Sequence, residues 1–401
     1  MLVLVLNCGS SSIKYQLLDV NNGTALAKGL LEKIGLPDSF FTHEPLGEEA
    51  VNFSVEVKDH FSGLEVVTSA LTHPEHGVVK DLEEIDATGH RVVHGGERFS
   101  NSVLITDEVM AVVEECAELA PLHNPANIMG IRACKRLMPD TPQVAVFDTA
   151  FHQTIPRHIF LYALPYEYYT KYKLRRYGFH GTSHQYVAQK AAEMLCRPLE
   201  ELKLITCHLG NGSSVTAVQD GRSLDTSMGF TPLEGLVMGT RTGDLDPAIA
   251  LFLMEKEGLS TQEVKDLFNR KSGFLGLSGL SNDVRDLRAA AAKGHKRARI
   301  ALEVYPYRVK KRIGSYAAAM GGVDAIVFTA GIGENDPQMR ADICAGLEFL
   351  GVDIDPQKNG ATRGKAGDIS TESAKVRVLV IPTNEELMIA RETKRVVEAA
   401  K

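Results

Sequence analysis

Short apolar runs alternate along the chain with segments whose apolar positions recur every three to four residues. Residues 2–6, 143–147, 204–208, 324–329 and 376–381 are largely apolar stretches of strand length. Residues 107–119 place Val109, Val112, Val113 and Leu119 at helical spacing. Thr182 and Gln185 have the spacing of a capping box and predict a helix over 185–195, and Ser260 with Glu263 predicts another helix start. Strands alternating with helices predict an α/β fold rather than an all-β or all-helical one.

The pattern also repeats. Val5-Leu6-Asn7-Cys8-Gly9-Ser10-Ser11-Ser12-Ile13 is similar to Leu209-Gly210-Asn211-Gly212-Ser213-Ser214-Val215. Each follows an apolar strand, and each continues into a second β-like segment and a turn, at Asn21-Asn22-Gly23 and at Asp220-Gly221. Two hairpins with small, polar tips about half a chain apart predict a duplicated architecture. A third glycine turn, 331–335, follows the strand at 324–329. None of the three is a P-loop, and no G-x-G-x-x-G is completed. Small residues at such tips let backbone N–H groups approach phosphate oxygens, and they are equally the residues of ordinary turns.

Composition narrows the class. The 401 residues suggest two or three domains; 44% are apolar and 24% charged, as in an ordinary folded protein. A formal net charge of −7 argues against a general nucleic-acid binder, while leaving room for a local basic pocket. The 6 cysteines, at 8, 116, 134, 196, 207 and 344, are scattered, without metal-like spacing, which suits a reducing compartment. The apolar start lacks a basic leader and reads as a strand, and no run is long enough to cross a membrane. The expectation is a cytoplasmic protein, with the glycosylation-like triplets at Asn22, Asn52 and Asn211 as chance matches. The basic stretch 293–312 reads as a solvated helix face.

Candidate reactive groups stand beside the strand ends. Arg91 lies among apolar residues and glycines, and Arg241 sits in the Gly-flanked loop Met238-Gly239-Thr240-Arg241-Thr242-Gly243. A guanidinium so placed matches two oxygens of a carboxylate or phosphate at once. His123 and His180 are further candidates; His180 directly precedes a helix start, where backbone N–H groups favour anions. Asp148, at a strand end, could hold Mg²⁺, orient a nucleophile or cap a turn. Glu385 and Glu386 could reach a metal or serve as the acidic first turn of a helix.

Taken together, ten segments in order between residues 2 and 391 resemble the acetate kinase family. They include LVLNCGSSSIKY, GHRVVHGGERF, LAPLHNPANI, VFDTAFHQTIP, RRYGFHGTSH, HLGNGSSV, DTSMGFTPLEGLVMGTRTGD, GLSNDVRD, IVFTAGIGEND and IPTNEELMIAR. The resemblance implies two duplicated ribonuclease-H-like α/β domains of the actin/sugar-kinase/Hsp70 type with a cleft between them. The expected domains are 1–148 with 386–401, and 149–385. It implies reversible, in-line transfer of phosphate from ATP to acetate, giving acetyl phosphate and ADP, in a cytoplasmic homodimer that engages neither nucleic acid nor membrane. Propionate kinase of the same family is the alternative, with Val93 as the discriminating position. A binding module of the same fold would need no carboxylate-binding arginines.

Residue by residue, the resemblance implies that Asp148, His180 and Arg241 are catalytic. Arg91 and His123 would meet acetate, with Val93, Leu122, Phe179 and Pro232 around its methyl group. ATP would contact Lys14, the turn His208, Leu209, Gly210, Asn211 and Gly212, the segment Asp283, Val284 and Arg285, and Gly331, Ile332, Gly333, Glu334 and Asn335. Mg²⁺, or Mn²⁺ in its place, would lie near Asn7 and Glu385. Acetate is already an anion at neutral pH, so Asp148 is expected to serve Mg²⁺ or positioning rather than proton abstraction. One departure is Pro306, where the family commonly has a helix former; a kink is expected there.

Overall fold

A computed structural model describes residues 1–120 and 123–401. Its described residues form two compact units: Met1–Gln153 with Asn384–Lys401, and Thr154–Thr383.

The sheet of the first unit is built from β1 (Leu2–Gly9), β2 (Ser12–Asp19), β3 (Thr24–Glu32), β4 (Phe40–Pro45), β5 (Val51–Ser54), β6 (Ala87–Val92), β7 (Val103–Leu104) and β8 (Gln143–Phe147). Its order is β5-β4-β3-β2-β1-β6-β8-β7. β1 to β3 form antiparallel hairpins, while β1, β6 and β8 run parallel. Alternation splits its two faces. Leu4, Leu6 and Ile13 pack with Leu64, Val67 and Leu71 of the helix His60–Leu71 and with Cys134 of the helix Asn124–Leu137. Gly89 points the other way, and a Cβ there would strike Ile389 and Thr393 of the helix Glu385–Ala399.

The sheet of the second unit uses β9 (Lys203–Leu209), β10 (Ser213–Gln219), β11 (Arg222–Thr226), β12 (Ala325–Thr329), β13 (Gly367–Asp368) and β14 (Arg377–Val380), in the order β11-β10-β9-β12-β14-β13. β9 to β11 are antiparallel, and β9, β12 and β14 are parallel. The run β3-β2-β1-β6-β8 in one unit therefore has the same order and polarity as β11-β10-β9-β12-β14 in the other. This is the duplication that the paired hairpins implied. The core of the second unit joins Ile205, Cys207, Val215 and Phe328 of the sheet to Tyr305, Val309 and Ile313 of the helix Lys296–Ala319.

Three local expectations need correction. Thr182 and Gln185 do not cap a helix: they lie inside the helix Gly181–Leu195, which starts at His180 in the left-handed region, φ +57°. The segment 331–335 is not a turn but most of the short helix Ala330–Asn335. The helix predicted over 107–119 is α-helical for Asp107–Glu115, with Thr106 accepting from the Val109 N–H, and tightens to a 3₁₀ turn at Cys116–Glu118. The Ser260–Glu263 box is formed, opening the helix Thr261–Arg270. Pro306 does not interrupt the Lys296–Ala319 helix; the ring is buried, and core packing holds the helix together despite the missing N–H. That helix also contains most of the basic stretch.

Candidate active site

In the first unit the candidates gather at the C-terminal ends of the parallel strands. Arg91 is the penultimate residue of β6, and Asp148 follows β8, its N–H bonded to the Val92 carbonyl. Arg91 Nε and Nη2 donate to Asp148 Oδ1 and Oδ2 at 3.0 and 2.6 Å. This fork-to-carboxylate pair is planar and charge-assisted, so it fixes the Arg91 guanidinium plane. The Asp148 carboxylate holds the Arg91 pKa above its ordinary value.

Asn7 lies near the end of β1, paired in register with Lys14 on β2. Lys14 forms an ion pair with Glu386, not Glu385. Glu385 and Glu386 occupy the first turn of a helix whose N-cap, Asn384, accepts from the Leu387 N–H. The reading of these acids as the first turn of a helix is met, and Glu385 also lies within electrostatic reach of Arg91. Burial pushes the Glu385 carboxyl up to about 7; Asp148 and Glu386 add to this, and Arg91 and Lys14 oppose it.

Those features fit a divalent cation. With burial raising its pKa to about 7, Glu385 is only part-ionised near neutrality, and a divalent cation beside it would favour the carboxylate. Among the described residues no three His, Cys, Asp or Glu side chains form a metal cage. Mg²⁺ in kinases does not need one, since it is held by one or two carboxylates, waters and nucleotide phosphates.

Val93 is buried just past β6, where its N–H donates to Asn127 Oδ1 at 3.1 Å. Asn127 Nδ2 donates to the Cys8 carbonyl at 2.8 Å, so one carboxamide bridges the ends of β1 and β6. Asn124 does the same for the next residue, meeting the His94 N–H and carbonyl at 3.1 and 3.0 Å. His123, half-buried, is the N-cap residue of the helix that presents both asparagines. Leu122 lies outside the described residues.

In the second unit four candidates meet at the hairpin tip. His208 ends near the tip of β9, and its ring stacks on His180 with centroids 4.1 Å apart. A Cβ on Gly212 would lie 3.4 Å from His180 Nε2 and 3.7 Å from Arg241 Nη1, so glycine leaves open space where imidazole and guanidinium converge. Burial lowers the Arg241 pKa, and among the described residues no carboxylate pairs with it. Among the same residues its guanidinium makes a single hydrogen-bond contact, Nη1 to Met238 Sδ at 3.9 Å. This is the setting of a cation waiting for an anionic ligand.

The Arg241 loop is locked to the same tip: the Gly239 N–H donates to the Asn211 carbonyl at 2.9 Å, and a Cβ on Gly239 would collide with Asn211 Oδ1. Asn211 Oδ1 accepts from Asn282 at 3.2 Å, which brings the segment preceding Asp283 alongside. Asp283 caps the helix Val284–Ala292 and grips the exposed Arg285 at 2.6 Å, which lowers the Asp283 pKa. Val284 is buried in the core. Leu209 is buried in the core, a Cβ on Gly210 would lie 3.7 Å from the Ala330 Cβ, and Gly331 has open space where a side chain would be, so its backbone is approachable.

The Glu334 carboxylate turns inward, accepting from the Ala330 and Thr383 N–H groups at 2.7 and 3.1 Å. Asn335 donates to the Gly331 carbonyl at 3.0 Å. Phe179 is buried and Pro232 half-buried on two loops joined through the Gly229 carbonyl, which accepts from Tyr177 and Gly178 at 3.1 and 3.2 Å.

Several organising residues were not picked out individually from the sequence. Arg176 donates to the Thr226 carbonyl at 2.7 Å and to Glu234 at 2.6 Å, fixing the loop that bears Pro232. Arg340 is fully buried and donates to the carbonyls of Gly333, Glu334, Asn359 and Thr362 and to Asn359 Oδ1, at 2.6–3.0 Å. Isolated polar residues in amphipathic helices look like solvent positions. Asn124 and Asn127 carried a readable signal, two carboxamides three residues apart among small apolar residues.

Comparison with known proteins agrees with these motifs. The acetokinase family model matches residues 2–391. The chain is 62% identical over 402 residues to the acetate kinase of Thermoanaerobacter pseudethanolicus, with all of both chains covered. The structure of the Porphyromonas gingivalis acetate kinase superposes with a TM-score of 0.96 at 51% identity, covering 99% of each chain. That of a propionate kinase from Francisella tularensis gives 0.92 at 45% identity, covering 98% of this chain and 99% of that one. The chain belongs to the acetokinase family.

Proposed function

We infer that this protein transfers the γ-phosphoryl group of ATP to acetate. An acetate oxygen forms a bond to phosphorus, the bond from phosphorus to the β,γ-bridging oxygen breaks, and ADP leaves with that electron pair. No proton moves, because acetate enters as its anion. The reverse reaction returns phosphate from acetyl phosphate to ADP.

The observation that carries this reading is the contrast between two arginines. Arg91, aligned by Asp148, offers a fixed guanidinium to the carboxylate. Arg241, half-buried and without a carboxylate partner among the described residues, lies beside His180 and the open Gly212 position, where charge on a transferring phosphoryl group would be met. Such transfer depends on positioning and electrostatics rather than on a base. We assign Asp148 to positioning and Mg²⁺ accordingly, and Asn7 and Glu385 as the residues that would hold Mg²⁺. The metal would supply positive charge against the phosphates. Lys14, the 208–212 tip, 283–285 and 331–335 are assigned to ATP, the last through backbone groups. Val93, Phe179 and Pro232, with Leu122, are assigned to the acetate methyl group, and His123 to acetate itself. The family relationship also supports a cytoplasmic homodimer, which light scattering would test; no helix of the described residues is long and apolar enough to cross a membrane.

Trapping acyl phosphate as hydroxamate, with Mg²⁺, ATP and acetate, propionate or butyrate, tests the reading. Acetate is expected to exceed propionate in kcat/KM by roughly 10–200-fold, the discrimination one methylene allows. Val93→Ala should narrow that ratio by lowering the KM for propionate. No acyl phosphate from acetate would sink the function, and a wild-type preference for propionate would hand it to propionate kinase.

A further inference from the structure

Behind His180 runs a line of side chains that the assignments above leave unused. Thr206 Oγ1 is 2.7 Å from His184 Nδ1; His184 Nε2 is 2.7 Å from Ser214 Oγ; Ser214 Oγ is 2.9 Å from His180 Nδ1. Thr206, His184 and Ser214 have no exposed surface. His184 is one helical turn beyond His180, so both rings reach the same hydroxyl of β10.

The order of donation along this line is constrained. A hydroxyl has one proton, and a neutral imidazole donates from one nitrogen and accepts at the other. Ser214 therefore donates to one histidine and accepts from the other. The contacts fit two directions, because the Thr206 hydroxyl also lies 3.5 Å from the Thr216 carbonyl, to which it can donate while accepting from His184 Nδ1 at 2.7 Å. The near end selects between them: a phosphoryl oxygen only accepts, so a neutral His180 that serves it carries its proton on Nε2 and accepts from Ser214 at Nδ1. Ser214 then accepts from His184 Nε2, and His184 Nδ1 accepts from Thr206. His180 Nε2 is the nitrogen beside the open Gly212 position and Arg241. The left-handed backbone of His180, costly for a residue with a side chain, aims the ring this way.

Resting on the proposed phosphoryl transfer, we propose that Thr206, His184 and Ser214 are positioning residues forming a directional hydrogen-bond relay. The relay locks His180 as the neutral tautomer whose Nε2–H donates to the transferring phosphoryl group.

Ring ¹⁵N resonances of histidine-labelled protein test this without reference to turnover. The His180 signals are identified by their loss in His180→Gln. The expected result is a protonated Nε2 and a bare Nδ1 for His180 in the free protein; a protonated Nδ1 with a bare Nε2 overturns the proposal. Thr206→Val keeps the shape and removes the donor that this direction requires at His184 Nδ1. It should convert His180 to a tautomer mixture and lower kcat by roughly 10²-fold with little change in either KM, and Thr206→Ser should restore both. Ser214→Ala, at a second point on the line, should give the same spectral change. An unchanged His180 signature in both Thr206→Val and Ser214→Ala would refute the relay even in an enzyme that phosphorylates acetate. An absence of acetate phosphorylation would leave the spectra standing and remove only their catalytic meaning.

Discussion

Arg91 and Arg241 bear the same charge in unlike settings, and substitution should separate them. Arg241→Ala is expected to lower kcat by about 10²–10³-fold, the cost of losing one donor to developing charge, with a much smaller rise in the acetate KM. Arg91→Ala should raise the acetate KM as well as lower the rate. Steady-state kinetics in both substrates distinguishes the two patterns, and an Arg241→Ala enzyme of near-normal kcat would refute the assignment. Buried His90 makes a second residue-scale prediction. It bonds to Gln143 Oε1 at 2.8 Å, and burial lowers its pKa to about 4. Its unfolded value is near ~6.5. Below that pH the unfolded chain takes up a proton that the native state refuses. Stability associated with His90 is therefore full above pH ~6.5 and lost as pH falls toward ~4, a few kcal/mol in all. Urea melts at pH 7 and pH 5 should show a smaller acid loss for His90→Asn than for wild type. The types of chemistry were legible from single residues; their pairings were not. Nothing local announces that Arg91 will grip Asp148, 57 positions away.

Elements were legible where one force dominated. Strands β8, β9 and β12 are largely apolar runs, and burial on both faces dictates them. The two misread starts, at Gly181 and Ala330, follow residues or begin with residues in the left-handed region, His180 and Ala330 itself. Propensity cannot foresee a non-glycine residue there, because surrounding structure supplies the energy. The helix Ala330–Asn335 shows how. It is too short to hold itself, and Arg340 ties its last carbonyls to those of Asn359 and Thr362. Arg340→Lys cannot reach all of these acceptors. It should cost about 3–5 kcal/mol in denaturant unfolding, as for a broken buried polar cluster, and raise the KM for ATP more than that for acetate. Equal effects on the two KM values would detach this helix from the nucleotide.

At the scale of the whole chain, the first unit is discontinuous: its sheet is covered on the Gly89 face by the helix Glu385–Ala399, while Thr154–Thr383 is a single uninterrupted segment. A chain ending at Thr383 should therefore keep a protease-resistant core from the second unit and lose the first, with fragments beginning near residue 154; survival of both would contradict this division of labour. The duplication of topology was visible beforehand because hairpin tips tolerate few residue types. The late return of the chain was visible only through resemblance. That return matters most during synthesis. The β1–β6–β8 face emerges first and meets its covering helix only after the whole second unit has been translated, on the order of ten seconds to a minute at ~5–20 residues per second. For that interval the nascent chain displays an uncapped apolar sheet to its surroundings, so holding chaperones, and the spacing of ribosomes along the message, become determinants of how much active protein a cell obtains.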